Sequence, residues 1–419
     1  MNIPLLLTLA AELYRQASKE SGHPADEIAH HYFKQRHFLG KRDRRAISEV
    51  FWHMIRHKSR FEWHSAGVAS PTMRTIIPVE ELVVRAYRDL YPETQAAGFR
   101  KEDSFSRAWR QTEKNPGQVN IPDPAIYSLP EWMWADLEEI FDQETLHTTA
   151  TSLLKPAGLH LRINTLKARV EDVLQACPEY TIRRGNIVPE TLRIQGNPDI
   201  RHHRVYRQGW VEIQDEGSQL VTRLIRPQAG DCILDACAGA GGKSLHLAAF
   251  TQNQARIIAT DKYPERLIEL VHRANRTDAR IQVMDQKEVF KNLQGKADIV
   301  FLDVPCSGSG TLRRRPDLKW NLTPGTIRNY VDLQQKILKE NIPLLKPGGR
   351  LIYTTCSILP EENEGQMEYI MKTWPHLKPL PISDMIQELN LPLNSLSTSG
   401  LRISPQDFDT DGYFVGIMK

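Results

Sequence analysis

The chain has 419 residues, of which 40% are hydrophobic and 25% are charged, and its formal net charge is +3 at pH 7. This composition is that of an ordinary soluble globular protein with two or three domains. No apolar run approaches the roughly 18 residues that a membrane-spanning helix needs, so we expect no membrane partner. The five cysteines are odd in number and scattered along the chain, which disfavours a disulfide framework and favours the reducing cytoplasm.

The first part of the chain is predicted to be helical and carries basic clusters. Residues 1 to about 115 repeat apolar side chains at three- and four-residue spacing, as in AISEVFWHMIRH (46–57). From Lys34 to Arg60 there are nine Lys or Arg residues against two acids, with aromatic residues among them. RHHRVYRQ (201–208) and TLRRRPDLKW (311–320) are further basic clusters. Such stretches are typical of nucleic-acid surfaces, although each one alone fits a solvated helix face equally well.

A proline-rich stretch separates this helical part from a small mixed region. NPGQVNIPDPAIYSLP (115–130) contains four prolines and is the predicted linker. The periodicity after it predicts, in order, a helix, a strand, a helix and two short strands: EWMWADLEEIF, GLHLRIN, LKARVEDVLQAC, YTIRRG and TLRIQG. We therefore expect three domains, which are an all-α domain over 1–120, a small α+β unit over 125–205 and a third domain over 206–419.

From about residue 209 the pattern alternates strands with helices, which is typical of α/β proteins with a parallel sheet. The five expected strands are DCILDAC (231–237), ARIIATD (255–261), IQVMD (281–285), DIVFLDV (298–304) and RLIYTTCS (350–357). LKPGG (345–349) is predicted as a turn, and GYFVGIMK (412–419) as a last strand. A helix is expected from about Thr323, a good N-cap that is followed by a proline.

A glycine-rich loop, DACAGAGGKS (235–244), lies between the first of these strands and a helix. Gly239, Gly241 and Gly242 let the backbone turn sharply and approach a ligand closely. A nucleotide triphosphate loop would need glycine at position 237, where Cys237 stands, and a dinucleotide fingerprint would need it at Ser244. The loop therefore predicts a binding site for a different ligand.

Four acids, Asp235, Asp261, Asp285 and Asp303, each close or follow one of the first four strands. Any one of them could be a helix cap or a turn former, but all four at the same edge of a sheet favour a ligand site. A carboxylate at Asp261 would accept hydrogen bonds from a ribose, and Asp285 would lie near an adenine edge. An adenosine with a charged tail fits this arrangement, and S-adenosyl-L-methionine is such a molecule.

Two cysteines, Cys306 and Cys356, end the fourth and fifth strands and are expected to line one pocket. Such a thiol pair suits methylation of a pyrimidine at carbon 5, because a thiolate must add to carbon 6 before carbon 5 becomes nucleophilic. A base must then remove the carbon 5 proton so that the thiolate can leave. Asp303 could bind the base edge, and Lys243 would help lower a thiol pKa. No Cys-x-x-Cys pair occurs, so we expect no metal.

With these motifs the chain resembles the RNA (cytosine-5) methyltransferase family, most closely its bacterial 16S ribosomal RNA branch (RsmB-like). The similar segments lie within about residues 125–419, and they are LRINTLK, GWVEIQDEGSQLV, LDACAGAGGKS, ATDKYPERL, FLDVPCSGSGTLRRRPDLKW and LIYTTCSILPEENE. RDRRAISEVFWHMIRHKSR in the front part is similar to a NusB-like RNA-binding domain. The resemblance implies a class I (Rossmann-like) methyltransferase domain with a seven-stranded, mostly parallel sheet.

The resemblance also implies the role of individual residues. Cys356 corresponds to the nucleophile and Cys306 to the thiol that assists product release. The donor site for S-adenosyl-L-methionine corresponds to Cys237, Ala238, Gly239, Ala240, Gly241, Gly242, Lys243, Asp261, Asp285 and Asp303. The family usually has Ala-Pro-Gly-Gly-Lys-Thr in this loop where the chain has GAGGKS.

We therefore expect a cytoplasmic enzyme that methylates cytosine in RNA, with ribosomal RNA as its partner and no obligate protein partner. Arg313, Arg314 and Arg315 are expected near the substrate strand. Three alternatives stay open at this point, namely a transfer RNA substrate, a DNA methylase whose Pro-Cys thiol attacks, and a non-catalytic RNA-binding assembly factor.

Overall fold

The structure is a computed structural model that describes residues 2–20, 23–66, 77–94, 98–99, 103–114, 121–382, 386–387, 391, 397 and 399–419. Its contacts divide the chain into two compact units. The first comprises Met1–Leu154 with Leu312–Leu322, and the second comprises Lys155–Thr311 with Thr323–Lys419. Of the predicted linker, residues 115–120 lie outside the described residues.

The first unit is helical, as the apolar spacing predicts. Leu7, Phe51, Val83 and Trp109 lie in its buried core, so helices from both ends of the unit share one apolar centre. The helices are Ile3–Lys19, Ala25–Lys34, Lys41–Arg56, Lys58–Ala66, Val79–Leu90, Ser104–Lys114, Asp123–Ile126, Glu131–Glu138, Gln143–Leu153 and Leu318–Asn321.

The segment 312–322, which carries the three arginines expected near the substrate strand, is part of the helical unit. The Arg56 guanidinium donates to the carbonyl of Arg313, and the Lys319 ammonium donates to the carbonyl of Arg56 at 2.9 Å. Arg313 is buried and only Arg314 of the three is exposed. Burial lowers the pKa of Lys319 well below its usual range. The packing of this segment thus buries the basic side chains of Arg56, Arg313 and Lys319.

A small antiparallel sheet begins the second unit. Its strand order is β2-β3-β1-β4, with β1 at Leu159–Ile163, β2 at Ile182–Arg184, β3 at Thr191–Ile194 and β4 at Val211–Ile213. The helices of this region are Val170–Ala176 and Arg204–Arg207. The three predicted strands and the predicted helix are present. Because β4 belongs to this sheet, the sheet extends beyond residue 205.

Glu216 joins the small sheet to the larger part of the second unit. It begins the helix Glu216–Ile225, and its buried carboxylate accepts hydrogen bonds from the backbone of Ile187 at 2.7 Å and of Val188 at 2.9 Å. The Arg193 guanidinium pairs with the same carboxylate at 2.6 Å. The negative charge therefore has partners on several sides, which a buried carboxylate requires.

The large sheet has seven strands in the order β10-β11-β9-β8-β5-β6-β7. The five strands from β9 to β7 are parallel, while β10 and β11 pair antiparallel at one edge. The predicted class I methyltransferase fold is thereby confirmed. The strands are β5 at Cys232–Asp235, β6 at Arg256–Ala259, β7 at Ile281–Val283, β8 at Ala297–Asp303, β9 at Leu345–Thr355, β10 at Leu401–Ile403 and β11 at Tyr413–Met418.

Helices cover both faces of this sheet. Successive residues of β8, such as Val300 and Phe301, enter separate buried clusters on opposite faces, which explains the continuous apolar runs of the parallel strands. Thr323 caps the helix Pro324–Asn341 as predicted, because its hydroxyl accepts from the backbone of Thr326. The other helices are Gly242–Phe250, Pro264–Thr277, Gln286–Asn292, Glu364–Thr373 and Pro405–Phe408.

The turn predicted at LKPGG lies inside β9, so that boundary was wrong. Leu345 pairs with Ala297 and Arg350 pairs with Ile299, and the residues between them bulge outward. Gly348 has a φ of +74°, which gives the bulge its left-handed residue. LKPGG therefore changes the direction of the backbone locally, as a turn does, but it remains part of β9.

All five cysteines are free. Within the described part of the chain, no helix combines the length and the apolar character needed to cross a membrane.

We predict that Glu216→Ala lowers the free energy of unfolding by about 3 kcal/mol, because the partly buried Arg193 guanidinium and the backbone N–H groups of Asn186, Ile187 and Val188 lose their acceptor. Urea unfolding of the full chain measures this change. Glu171→Ala is the matched control, since Glu171 forms a pair with Arg184 in which both side chains are more than half exposed. The control is expected to unfold like the wild type, and equal losses in both variants would contradict the role of Glu216.

Candidate active site

The two cysteines at the strand ends meet. Cys306 follows β8 and Cys356 follows β9, and these parallel strands are neighbours in the sheet. Their Sγ atoms lie 3.4 Å apart, and both residues are half-buried. Thus, topology brings together two thiols that are 50 residues apart in the chain.

Proline and glycine residues explain how the first loop reaches the second. Pro305 cannot donate to a strand ladder, so β8 ends before it. The backbone of Gly310 donates to the carbonyl of Cys356 at 2.9 Å and accepts from the backbone of Gly412 at 2.8 Å. A Cβ atom at position 310 would collide with the carbonyl oxygen of Gly412. Only glycine therefore permits this close approach of the two loops.

The environment of Cys306 favours its protonated form. Its hydrogen bond with Cys356, its burial and the nearby charges of Cys356 and Glu362 all raise the pKa of the Cys306 thiol well above its usual range. A hydrogen bond from the backbone of Gly308 opposes this shift only in part. Cys306 therefore keeps its proton at neutral pH and can donate it toward the other sulfur.

A buried carboxylate fixes the loop that carries Cys306. Glu362 accepts from the backbone of Ser307 at 2.8 Å and from its hydroxyl at 2.5 Å. Gln334 donates to the same carboxylate at 3.1 Å and to the carbonyl of Pro305 at 3.0 Å. Burial raises the pKa of Glu362, although these hydrogen bonds lower it. Glu362 thus holds Ser307 on one side of Cys306 directly, and Gln334 connects it to Pro305 on the other side.

The next residue, Asn363, holds the loop that carries Cys356. Its amide oxygen accepts from the Thr355 hydroxyl at 2.5 Å, and its amide nitrogen donates to the carbonyl of Ser357 at 3.0 Å. The hydroxyls of Ser307 and Ser357 lie 3.2 Å apart and connect the two loops directly. Two consecutive residues therefore fix both thiol-bearing loops to one buried network.

The glycine loop is shaped by Asp261, which follows β6. One carboxylate oxygen of Asp261 accepts from the backbone of Gly239 at 2.9 Å, and the other accepts from the backbone of Tyr263 at 2.8 Å. Each oxygen has two acceptor sites, so both can accept a further hydrogen bond from a ligand. The Arg273 guanidinium donates to the carbonyl of Ala240 at 2.7 Å. The loop therefore has side-chain supports, although it contains no proline.

Three of the four predicted acids converge on this loop, and the fourth does not. Burial and the charges of Asp235, Asp303 and Asp261 raise the pKa of Cys237 well above its usual range. Asp235 is itself buried, which raises its pKa to about 7, although Ser244 donates to it. Asp285 is exposed, and its carboxylate caps the helix Gln286–Asn292.

Lys243 is paired with a carboxylate, so its charge does not act on a thiol alone. Its ammonium contacts Asp303 at 2.6 Å. Burial lowers the pKa of Lys243, but the charge and hydrogen bond of Asp303, with smaller effects of Cys356 and Asp235, raise it overall. Lys243 therefore stays charged between the glycine loop and the thiols.

The residues of the loop fit an adenosine ligand with a cationic tail. Cβ atoms at Gly239 and Gly242 would meet no atom within 4 Å, so space lies open beside the backbone of the loop. One carboxylate oxygen of Asp235 is buried without a hydrogen-bond partner among the described residues. Space, backbone amides and carboxylates are the features that a sulfonium donor with an amino acid tail requires.

Comparison with known proteins agrees with this arrangement. Residues 222–419 match the family model described as 16S rRNA methyltransferase RsmB/F. A probable ribosomal RNA small subunit methyltransferase B from Synechocystis sp. is 30% identical, and the alignment covers 92% of this chain and 93% of that protein. A similarly named protein from Bacillus subtilis is 32% identical over 74% of this chain and 71% of its own.

The chain belongs to the RsmB/F methyltransferase family. Among solved structures, that of PH0851 superposes with a TM-score of 0.75 at 23% identity and covers 100% of this chain and 99% of its own. NSun6 from Pyrococcus horikoshii, solved with SFG, has a TM-score of 0.59 at 19% identity, with 69% of this chain and 98% of its own covered. Both similarities support the fold.

The sequence predicted the thiols and the glycine loop of this RsmB/F protein but gave no role to Glu362 and Asn363. They lie in LIYTTCSILPEENE, where an acid and an amide follow a strand end that carries a cysteine. Helix-terminal acids are usually exposed caps, so the pattern did not predict that Glu362 is buried. The serines at 307, 309 and 357 were the available signal, since buried hydroxyls need partners.

We predict that Glu362→Gln loosens the pairing of the two thiol loops, because the neutral amide forms weaker hydrogen bonds with Ser307. Diamide oxidises neighbouring thiols to a disulfide, so its rate reports how closely Cys306 and Cys356 are held. The rate of disulfide formation is expected to fall about tenfold in Glu362→Gln. Glu361→Gln is the control at the exposed neighbouring position and is expected to react like the wild type. Equal rates in all three proteins would refute the positioning role of Glu362.

Proposed function

We propose that this protein transfers a methyl group from S-adenosyl-L-methionine to carbon 5 of a cytosine in structured RNA, through a covalent bond between a cysteine and carbon 6. We further propose 16S ribosomal RNA as the substrate and the cytoplasm as the location. The observation that carries the proposal is the 3.4 Å contact of two thiols at neighbouring strand ends, beside a charged lysine. The names of the relatives support the ribosomal substrate.

The donor site is proposed to be the loop from Cys237 to Lys243 with Asp235, Asp261 and Asp303, while Asp285, which does not converge on this loop, is proposed to lie near the adenine edge of the donor. When bound there, S-adenosyl-L-methionine supplies an electrophilic methyl group. Asp261 holds the ribose hydroxyls with the acceptor sites that its backbone contacts leave open. The carboxylates around the loop attract the cationic end of the donor.

We assign the attack on carbon 6 to Cys356. Addition of its thiolate makes carbon 5 an enamine carbon, which is nucleophilic enough to accept a methyl group. Asp303, held in place by Lys243, binds the N3/N4 edge of the cytosine and orients the ring. Because Cys306 retains its proton at neutral pH, it donates a hydrogen bond that steadies the attacking sulfur.

We assign the removal of the carbon 5 proton to Cys306. After methyl transfer this carbon carries both the methyl group and a proton, and the Cys356 bond breaks only when the proton leaves. Once Cys356 is bonded to carbon 6, its sulfur no longer carries the charge that favours the protonated form of Cys306, so the Cys306 thiol can lose its proton to the solvent and act as the base. Loss of the carbon 5 proton restores the double bond and releases the Cys356 thiolate.

The substrate is tested most directly by mapping 5-methylcytosine at single-base resolution in RNA from a strain that lacks the gene. Loss of one modified cytosine in 16S ribosomal RNA, with restoration by the wild-type gene, is the expected result. Loss of a modified cytosine in transfer RNA or in DNA instead would show that this nucleic acid, and not ribosomal RNA, is the substrate. An unchanged pattern in every nucleic acid would favour a non-catalytic assembly factor instead.

We predict that Asp261→Ala lowers the affinity for S-adenosyl-L-methionine about thirtyfold, because a charge-assisted contact with the ribose is worth about 2 kcal/mol. Isothermal calorimetry with the full chain measures the donor affinity. RNA affinity serves as the control and is expected to stay the same. If Asp261→Ala bound S-adenosyl-L-methionine as tightly as the wild type, the ribose of the donor would not contact Asp261.

We predict opposite behaviour of the two thiol variants with an unmodified 16S ribosomal RNA transcript and the methyl donor. Cys356→Ala is expected to form neither a covalent RNA complex nor product, since carbon 5 stays unreactive without the thiolate. Cys306→Ala is expected to attack and methylate, and then to stall as a protein–RNA adduct because no base removes the proton. Denaturing electrophoresis separates these outcomes.

The matched control for both is Cys232→Ala. Cys232 is also a half-buried cysteine, but it is the first residue of β5 and so lies at the amino ends of the parallel strands, away from the two thiols at their carboxyl ends. This variant is expected to turn over normally. If Cys356→Ala accumulated the adduct and Cys306→Ala did not, the two roles would be exchanged. If both variants stayed active without any adduct, covalent catalysis itself would be wrong.

A further inference from the structure

An aromatic side chain projects from the helical unit into the solvent. Phe38 lies between the helices Ala25–Lys34 and Lys41–Arg56, and 71% of its surface is exposed. This is the largest exposed fraction among the large hydrophobic side chains of the described residues. Residues 34–45 around it are called the Phe38 loop below. Single exposed apolar side chains are common, so the charged residues around Phe38 decide what its ring can bind.

The backbone of the Phe38 loop is fixed by its neighbours. Leu39 is buried, and its backbone donates to the carbonyl of Arg36 at 3.1 Å. The Arg44 guanidinium donates to the carbonyl of Leu39 at 2.9 Å. The Arg36 guanidinium lies 3.6 Å above the ring of Tyr32. The loop thus has internal supports that present Phe38 outward while the adjacent leucine anchors it.

The charge of the Phe38 loop is strongly positive. Lys34, Lys41 and Arg42 are exposed, and no carboxylate of the described residues lies within 4.0 Å of their charged groups. Asp43 is the only acid of the loop, and it accepts from the backbone of Gly40 at the start of a helix. The cations are therefore available to a polyanion.

Three residues of the Phe38 loop, Lys34, His37 and Arg44, help to line a cavity of about 470 Å³. Its other lining residues are His30 and Phe33. Its size falls in the range of about 300 to 1,000 Å³ that is usual for small-ligand sites. Imidazole, phenyl and guanidinium groups in its wall offer both stacking faces and hydrogen-bond donors.

We propose that the Phe38 loop binds an unpaired stretch of RNA, with one base stacked on the ring of Phe38 and phosphates held by Lys34, Lys41 and Arg42. Unpaired RNA fits because its bases can leave the helix and stack on aromatic rings, whereas duplex bases are already stacked. A protein partner fits less well, since an exposed ring between like charges favours a polyanion over an apolar surface. The inference rests on the proposed RNA substrate and adds a second binding site for it.

The test uses the full chain and a fluorescent RNA of 12 nucleotides and mixed sequence, both as a single strand and as a duplex. The wild type is expected to bind the single strand more tightly than the duplex. Phe38→Ala is expected to lower the single-strand affinity about tenfold and to leave duplex affinity unchanged, while Phe38→Trp retains binding. The salt dependence of Phe38→Ala stays that of the wild type, because no charge is removed, whereas Lys41→Gln reduces it.

Leu5→Ala is the matched control, since Leu5 is also exposed, at 44%, and has no charged residue within three positions in the sequence. It is expected to bind both RNAs like the wild type. A 2-aminopurine in the single strand provides a direct signature, since stacking on Phe38 quenches its fluorescence and Phe38→Ala restores it.

Unchanged single-strand binding by Phe38→Ala, or equal losses for both RNA forms, would overturn the proposal. Full retention by Phe38→Leu would also overturn it, because an aliphatic side chain can replace an apolar protein contact but not a stacked ring. Binding is measured without methyl donor, so failure of methyl transfer would count against the proposed function and leave this result standing.

Discussion

The pairing of β8 with β9 is the constraint on which the site depends. Parallel neighbours end at the same edge of the sheet, so the loops that follow them must pass each other closely. Gly310 allows that approach, and the Glu362 carboxylate fixes it by accepting from Ser307. A buried acid with these partners is costly to remove, and its contacts hold the loop that carries Cys306 in place.

On the donor side of the site, carboxylates at the ends of strands also hold a neighbouring loop in place. Asp261 lies after the strand next but one to β8, and it orders the glycine loop by accepting from its backbone. Lys243 at the end of that loop pairs with Asp303, the last residue of β8. One carboxylate thus shapes the donor loop, and one ion pair connects this loop to the strand that leads to Cys306.

The spacing of apolar residues and the positions of proline and glycine made most of the fold predictable. The apolar β-branched runs predicted five strands of the large sheet, and Pro305 predicted where β8 ends. The boundary at LKPGG was wrong because a bulge lets a turn sequence remain in a strand. The burial of Arg313 and Glu362 was not predictable, since charge patterns carry no information on which cation or acid the tertiary packing encloses.

The central claim is that Cys356 bonds to cytosine while Cys306 acts on the carbon 5 proton. RNA that contains 5-fluorocytidine, incubated with the methyl donor, tests it in the unaltered protein. After methyl transfer the fluorine at carbon 5 cannot be removed as a proton is, so the covalent complex persists. Nuclease and protease digestion followed by mass spectrometry then identifies the modified peptide. The account predicts a nucleotide on Cys356 alone, and a nucleotide on Cys306 or no adduct at all would contradict it.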